Sequence, residues 1–133
     1  MKKQVKQFKG FWSVVDLKKE KNALFVFGDN LIQQGKGGQA IIRDEPNAIG
    51  IPTKKLPTLN SNAFFTDDEL SKNKEIIQNS LNKVLKEFLK DKYEVLYLPE
   101  NGLGTGLAKL PEKAPKTNKY LVNKLNHMSR VFN

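Results

Sequence analysis

A chain of 133 residues, 38% hydrophobic and 28% charged, is the size of one domain (1–133) with its own core and a polar surface. It lacks the roughly 18-residue apolar run of a membrane helix, an apolar segment after Met1-Lys2-Lys3 that would make a secretory signal, and any cysteine, which excludes disulfides, zinc–thiolate sites and thiol nucleophiles and makes the cytoplasm the default location. The net charge of +9 is almost wholly lysine, since Arg43 and Arg130 are the only arginines, and it spreads from Lys2 to Lys124 as a general attraction for anions.

In chain order, residues 1–10 are lysine-rich and polar, and read either as a frayed arm or as a first edge strand. Phe11-Trp12-Ser13-Val14-Val15 is a short β-like run, followed by a lysine-rich turn over 16–22. Leu24-Phe25-Val26-Phe27 is continuously apolar between polar neighbours, which predicts a strand buried on both faces. Residues 37–43 can form a short helix carrying Ala40, Ile41 and Ile42. Asn47-Ala48-Ile49-Gly50-Ile51-Pro52 predicts another short strand, ended by Pro52.

The clearest helix follows. Thr66-Asp67-Asp68-Glu69 fits a capping box, in which hydroxyl and carboxylate satisfy each other's orphan N–H groups. Ile77, Leu81, Val84, Leu85 and Phe88 then recur at spacings of 4, 3, 1 and 3, a helical stripe. Burying these five contributes about 10 kcal/mol before conformational entropy is set against it. Asp91-Lys92 links this helix to a strand over 94–98, and a last helix starts near Pro111 and carries Leu121, Leu125 and Met128. The order of elements predicts a three-layer α/β/α arrangement. Right-handed crossovers place the loops that follow the strands on one edge of a parallel sheet.

Two of those loops are rich in glycine, which permits positive φ and lets a ligand approach the backbone. The first is Gly28-Asp29-Asn30, with Gly35, Gly37 and Gly38 close behind; the second is Gly102-Leu103-Gly104-Thr105-Gly106. Strand-to-helix loops of this kind aim free N–H groups at one point, where a phosphate binds. Two of them suggest one ligand with two phosphates. Asp29 and Asn30 offer an acceptor and an amide for a ribose hydroxyl or an adenine amine, or they cap the next turn. Gln39 and Arg43 either face the ligand or lie outside. Thr105 adds a hydroxyl, and Pro52-Thr53-Lys54 supplies a third wall, with Lys54 either meeting phosphate or, as the number of lysines favours, lying on the surface. The second loop is not a P-loop, because no Gly-Lys-Ser/Thr follows, and its third glycine comes one residue early for Gly-x-Gly-x-x-Gly.

His127 is the only histidine and falls on the last helix. Without a second histidine or a cysteine, no Ser-His-Asp triad or Cys-His pair can be built at the loops. No metal-ligand set and no cofactor is read from the sequence.

Taken together, these residues resemble the macrodomain-like superfamily of ADP-ribose-binding modules, and within it a small macro-like family of bacteria and phages. The resemblance runs from about Phe25 to Leu121. It rests on Phe25-Val26-Phe27-Gly28-Asp29-Asn30-Leu31, Gly35-Lys36-Gly37-Gly38-Gln39-Ala40, Asn47-Ala48-Ile49-Gly50-Ile51-Pro52-Thr53-Lys54 and Gly102-Leu103-Gly104-Thr105-Gly106-Leu107-Ala108. It implies a macrodomain-like fold with a mixed, mostly parallel sheet. It also implies that Gly37, Gly38 and residues 102–106 wrap a diphosphate and distal ribose, with Asn30 near that ribose. For the adenine-binding aspartate, nearer the start of the fold, Asp16 is the candidate.

The expectation is therefore a module that binds ADP-ribose or a related nucleotide, free or on a macromolecule. A hydrolase version has a water held by Asn30, Asp29 or the diphosphate attack the anomeric carbon. The alternative is a basic nucleic-acid-binding accessory protein of a phage or bacterium, without enzymatic activity.

Overall fold

The computed structural model describes residues 2–133; Met1 lies outside them. Four strands, β1 (Gln4–Phe8), β2 (Ala23–Asn30), β3 (Ala48–Lys54) and β4 (Val95–Pro99), form one sheet in the order β1-β4-β2-β3. Every pairing is parallel, so the sheet is not mixed.

The apolar run at 24–27 lies within β2, where alternate side chains serve opposite layers. Leu24 and Val26 pack with α2 (Leu70–Phe88) and α4 (Pro115–Phe132) through Ile77, Leu81, Val84, Phe88, Leu121, Leu125 and Met128. Phe25 and Phe27 face the other side, against Leu17 of α1 (Val14–Lys19) and Ala40 and Ile42 of a 3₁₀ helix, Gly38–Ile42. Leu85 of the predicted stripe is only partly buried. The connections explain the layering. From β1 to β2 to β3 the chain steps one way across the sheet with α1 and the 3₁₀ helix on one face. From β3 to β4 it steps back, and α2 lies on the opposite face, as crossovers of one hand require.

Several expectations are corrected. Of the two readings of the polar N-terminal stretch, residues 4–8 take the edge strand and not the frayed arm: they pair with β4, and a polar strand is tolerated there because it is an edge. Asn133 closes part of that edge, accepting from the Val5 N–H (3.1 Å) and donating to the Val5 carbonyl (2.9 Å). Residues 14–15 are helical and not β. Asp16 accepts from the Ser13 N–H (2.7 Å) and hydroxyl (3.2 Å), and this cap outweighs the β preference of Val14 and Val15. Strand β3 runs through Pro52 to Lys54. The Thr66–Glu69 capping box does not form: Thr66 makes no side-chain cap, residues 67–69 form a 3₁₀ turn, and α2 begins at Leu70.

The two acids of that segment are used elsewhere. Glu69 pairs with Lys55. Asp67 caps α4, accepting from the Lys116 N–H (2.9 Å), the Thr117 N–H (3.0 Å) and the Thr117 hydroxyl (3.0 Å), while Asn73 donates to the same hydroxyl oxygen (3.1 Å). Desolvation raises the pKa of Asp67, but the hydrogen bonds from Lys116 and Thr117, with the charge of Lys116, outweigh it and hold the carboxyl below its ordinary value. The last helical segment is also divided, with α3 (Leu110–Lys113) set off from α4 at Ala114. Among the described residues, no helix is long and apolar enough to cross a membrane.

Candidate functional site

After β2 the chain leaves toward the 3₁₀ face, and after β4 toward the α4 face. Neighbouring strands whose connections part in this way leave a crevice beyond their carboxyl ends, the usual ligand position in parallel sheets. A cleft of about 440 Å³ lies there. It gathers Gly28, Asp29, Asn30, Gly35, Gly37, Gly38, Gln39, Thr53, Gly104, Thr105 and Gly106 from the predicted set. Gly102 and Leu103 are not part of its lining. Leu103 is buried in the core with α2 and α4, and the Gly102 carbonyl accepts a hydrogen bond from Gln39.

Gln39 joins the two loops. Its Oε1 accepts from the Gly28 N–H (2.8 Å), and its Nε2 donates to the Gly102 carbonyl (3.0 Å). Its own carbonyl accepts from the Trp12 indole N–H (3.0 Å). Gly104 fills the remaining space: its φ is +76°, and a Cβ there would stand 2.9 Å from Thr53 Cβ and 3.0 Å from Leu110 Cβ. Only glycine meets both conditions.

The acid and the amide first considered for chemistry, Asp29 and Asn30, are engaged in structure. Asp29 takes a bidentate pair from Arg43, at 2.9 Å (Nη1–Oδ2) and 2.7 Å (Nη2–Oδ1), and also accepts from the Asn30 N–H (2.7 Å). Gly50 makes room for it, since a Cβ there would fall 2.7 Å from Asp29 Oδ2. Arg43 continues to the Gly35 carbonyl (2.8 Å) and the Gln34 carbonyl (3.2 Å), so it holds the first loop as well as neutralising Asp29. Asn30 staples the same loop, donating to the Gln34 carbonyl (2.8 Å) and accepting from the Gln34 N–H (3.4 Å). Asp16 caps α1 and does not line the cleft, and His127 is exposed on α4.

The cation of the site is Lys54, for which the sequence favoured the surface over a phosphate contact. It is 8% exposed, at the end of β3, and lines the cleft. Its neighbour Lys55 has Glu69, whereas Lys54 has no carboxylate partner among the described residues. Its ammonium lies 5.0 Å from the centre of the Phe64 ring, which Lys113 also approaches at 5.2 Å. Burial, and secondarily the charge of Lys109, lower its pKa. The N–H groups of Thr105, Gly106, Leu107 and Ala108, all lining the cleft, donate to no acceptor among the described residues. A lysine with a buried stem, whose ammonium, unpaired among the described residues, opens onto the cleft, and a run of unused donors are complementary to an anion. The signal that could have found Lys54 was its place after an apolar strand; the number of lysines elsewhere concealed it.

A family of unknown function, DUF7831, matches residues 7–124. The chain belongs to this family. The matched span contains every residue of the cleft, so the site lies within the part of the chain that defines DUF7831 membership. No curated protein and no solved structure matches the DUF7831 chain.

Proposed function

We propose that the cleft binds a nucleoside diphosphate of the ADP-ribose class, with its phosphates between the second glycine loop and Lys54. One observation carries this reading: a nearly buried lysine without a carboxylate partner stands at a strand end between two glycine loops. In the free protein such a cation is an electrostatic cost, which a bound phosphate removes. The motif resemblance to macrodomains supplies the nucleotide class. The reading rests on binding: Arg43 holds the Asp29 carboxylate and Gln34 holds the Asn30 amide, so of the three groups considered for holding a water only the ligand's own diphosphate is left.

The test is thermal unfolding with ADP-ribose, ADP or AMP, in the natural chain and in Lys54→Met. A ligand at 100 times its dissociation constant adds about 2.7 kcal/mol, several degrees in a domain this size. The natural chain is expected to shift most with ADP-ribose. Lys54→Met is expected to melt at the same temperature or higher without ligand, and to lose most of the shift. Absence of a shift with all three nucleotides overturns the reading and moves nucleic-acid binding to the front; salt-sensitive oligonucleotide retention then tests that alternative.

A further inference from the structure

The cleft has a second character where it meets the turn after β1. That turn is tied down on both sides of Phe11. The Gly10 N–H donates to Glu100 Oε2 (2.8 Å), and the Trp12 indole donates to the Gln39 carbonyl (3.0 Å). Between these anchors Phe11 is 96% exposed, while Trp12 is drawn into a cluster with Phe8, Phe25 and Tyr97. Gly10 has a φ of +78° and nothing within 4 Å of a would-be Cβ, so it serves the backbone turn and not close packing. Leu107, 63% exposed on the second glycine loop, lines the same cleft. The site therefore pairs an anion-accepting region at Thr53, Lys54 and 105–108 with apolar side chains left in water, and its ligand should be amphipathic in the same way.

We infer that Phe11, with Leu107, is the platform on which the planar base of the nucleotide packs, and that this grip is indifferent to which base it is. The inference rests on the nucleotide reading above. Every base offers a π-face to an aromatic ring, so affinity gained by stacking is shared by purines and pyrimidines alike. The Phe11 side chain makes its contribution only when ligand is present, which separates it from the residues that hold the loops together.

The experiment is calorimetric titration of the full chain and of Phe11→Ala and Phe11→Trp with ADP-ribose, UDP-glucose and the base-free ribose 5-phosphate. Phe11→Ala is expected to weaken ADP-ribose and UDP-glucose by the same factor, roughly ten-fold, and to leave ribose 5-phosphate unchanged. Phe11→Trp is expected to keep the natural affinities. The inference is overturned if Phe11→Ala leaves both base-bearing ligands unchanged, if it weakens ribose 5-phosphate equally, or if only one base is affected. Binding of ribose 5-phosphate as tight as that of ADP-ribose overturns the base platform and leaves the anion site standing. Failure of all three ligands to bind the natural chain overturns both readings.

Discussion

The two glycine loops border one cleft but use glycine for different reasons. In the second loop Gly104 is buried, has positive φ, and fits against Thr53 and Leu110 with no room for a methyl group. Its carbonyl accepts the Leu110 N–H (2.8 Å), so this loop is fixed by backbone and packing. In the first loop Gly37 and Gly38 are exposed, and a Cβ at either would meet nothing within 4 Å, so what that loop asks of Gly38 is its positive φ of +56° and not close packing. That loop is fixed by side chains, chiefly Asn30 and Arg43. The second loop is thus a rigid wall, and the first is an open backbone whose shape is imposed from its ends.

The largest expected effect on this contrast is Gly104→Ala. Strained φ and overpacking together should cost about 3 kcal/mol, read as a lower urea midpoint, and should remove nucleotide binding. An unchanged midpoint would break the distinction between the loops. Gln39→Ala comes next. It leaves the Gly28 N–H and the Gly102 carbonyl without partners in a partly covered position, a loss of about 1–2 kcal/mol. Hydrogen exchange at Gly28 should accelerate while the α2 core amides follow only the global change; an unaltered Gly28 rate would show that the loops are not joined through this side chain. Gly37→Ala is the smallest. Its φ of −79° suits any residue, so the change should be neutral or stabilising by up to about 1 kcal/mol. If stability is kept while ADP-ribose affinity falls, the first loop meets the ligand through its backbone; if neither changes, Gly37 lies clear of it.

What was legible in the sequence was local. The stripe from Ile77 to Phe88 and the run at 24–27 carry their periodicity in adjacent residues, and both lie where expected. Both glycine loops were visible for the same reason. The misreadings came from partners distant in the chain. Asp67 fits a cap for the helix beside it, yet Thr117 and Lys116, about fifty residues later, claim its carboxylate. Asp29 looks like a free acid until Arg43 is placed against it. Lys54 is one lysine among many until β3 is seen to continue past Pro52. Leu103 sits inside a glycine motif, but its side chain obeys the core.

The two open margins of the sheet have a consequence for how the chain behaves among its own copies. A parallel sheet ends in strands whose outward N–H and carbonyl groups can recruit another chain. On β1 the outward groups of Val5 are already taken by the amide of Asn133, which stands in for a neighbouring strand. On β3 the Phe25 N–H reaches the Asn47 carbonyl, so before the register shift at Asp29–Asn30 odd-numbered residues face β2 and Pro52 faces out, where it has no N–H to give. Each margin thus withholds part of the ladder that fibre growth by strand addition would need, one by occupying it and the other by lacking a donor.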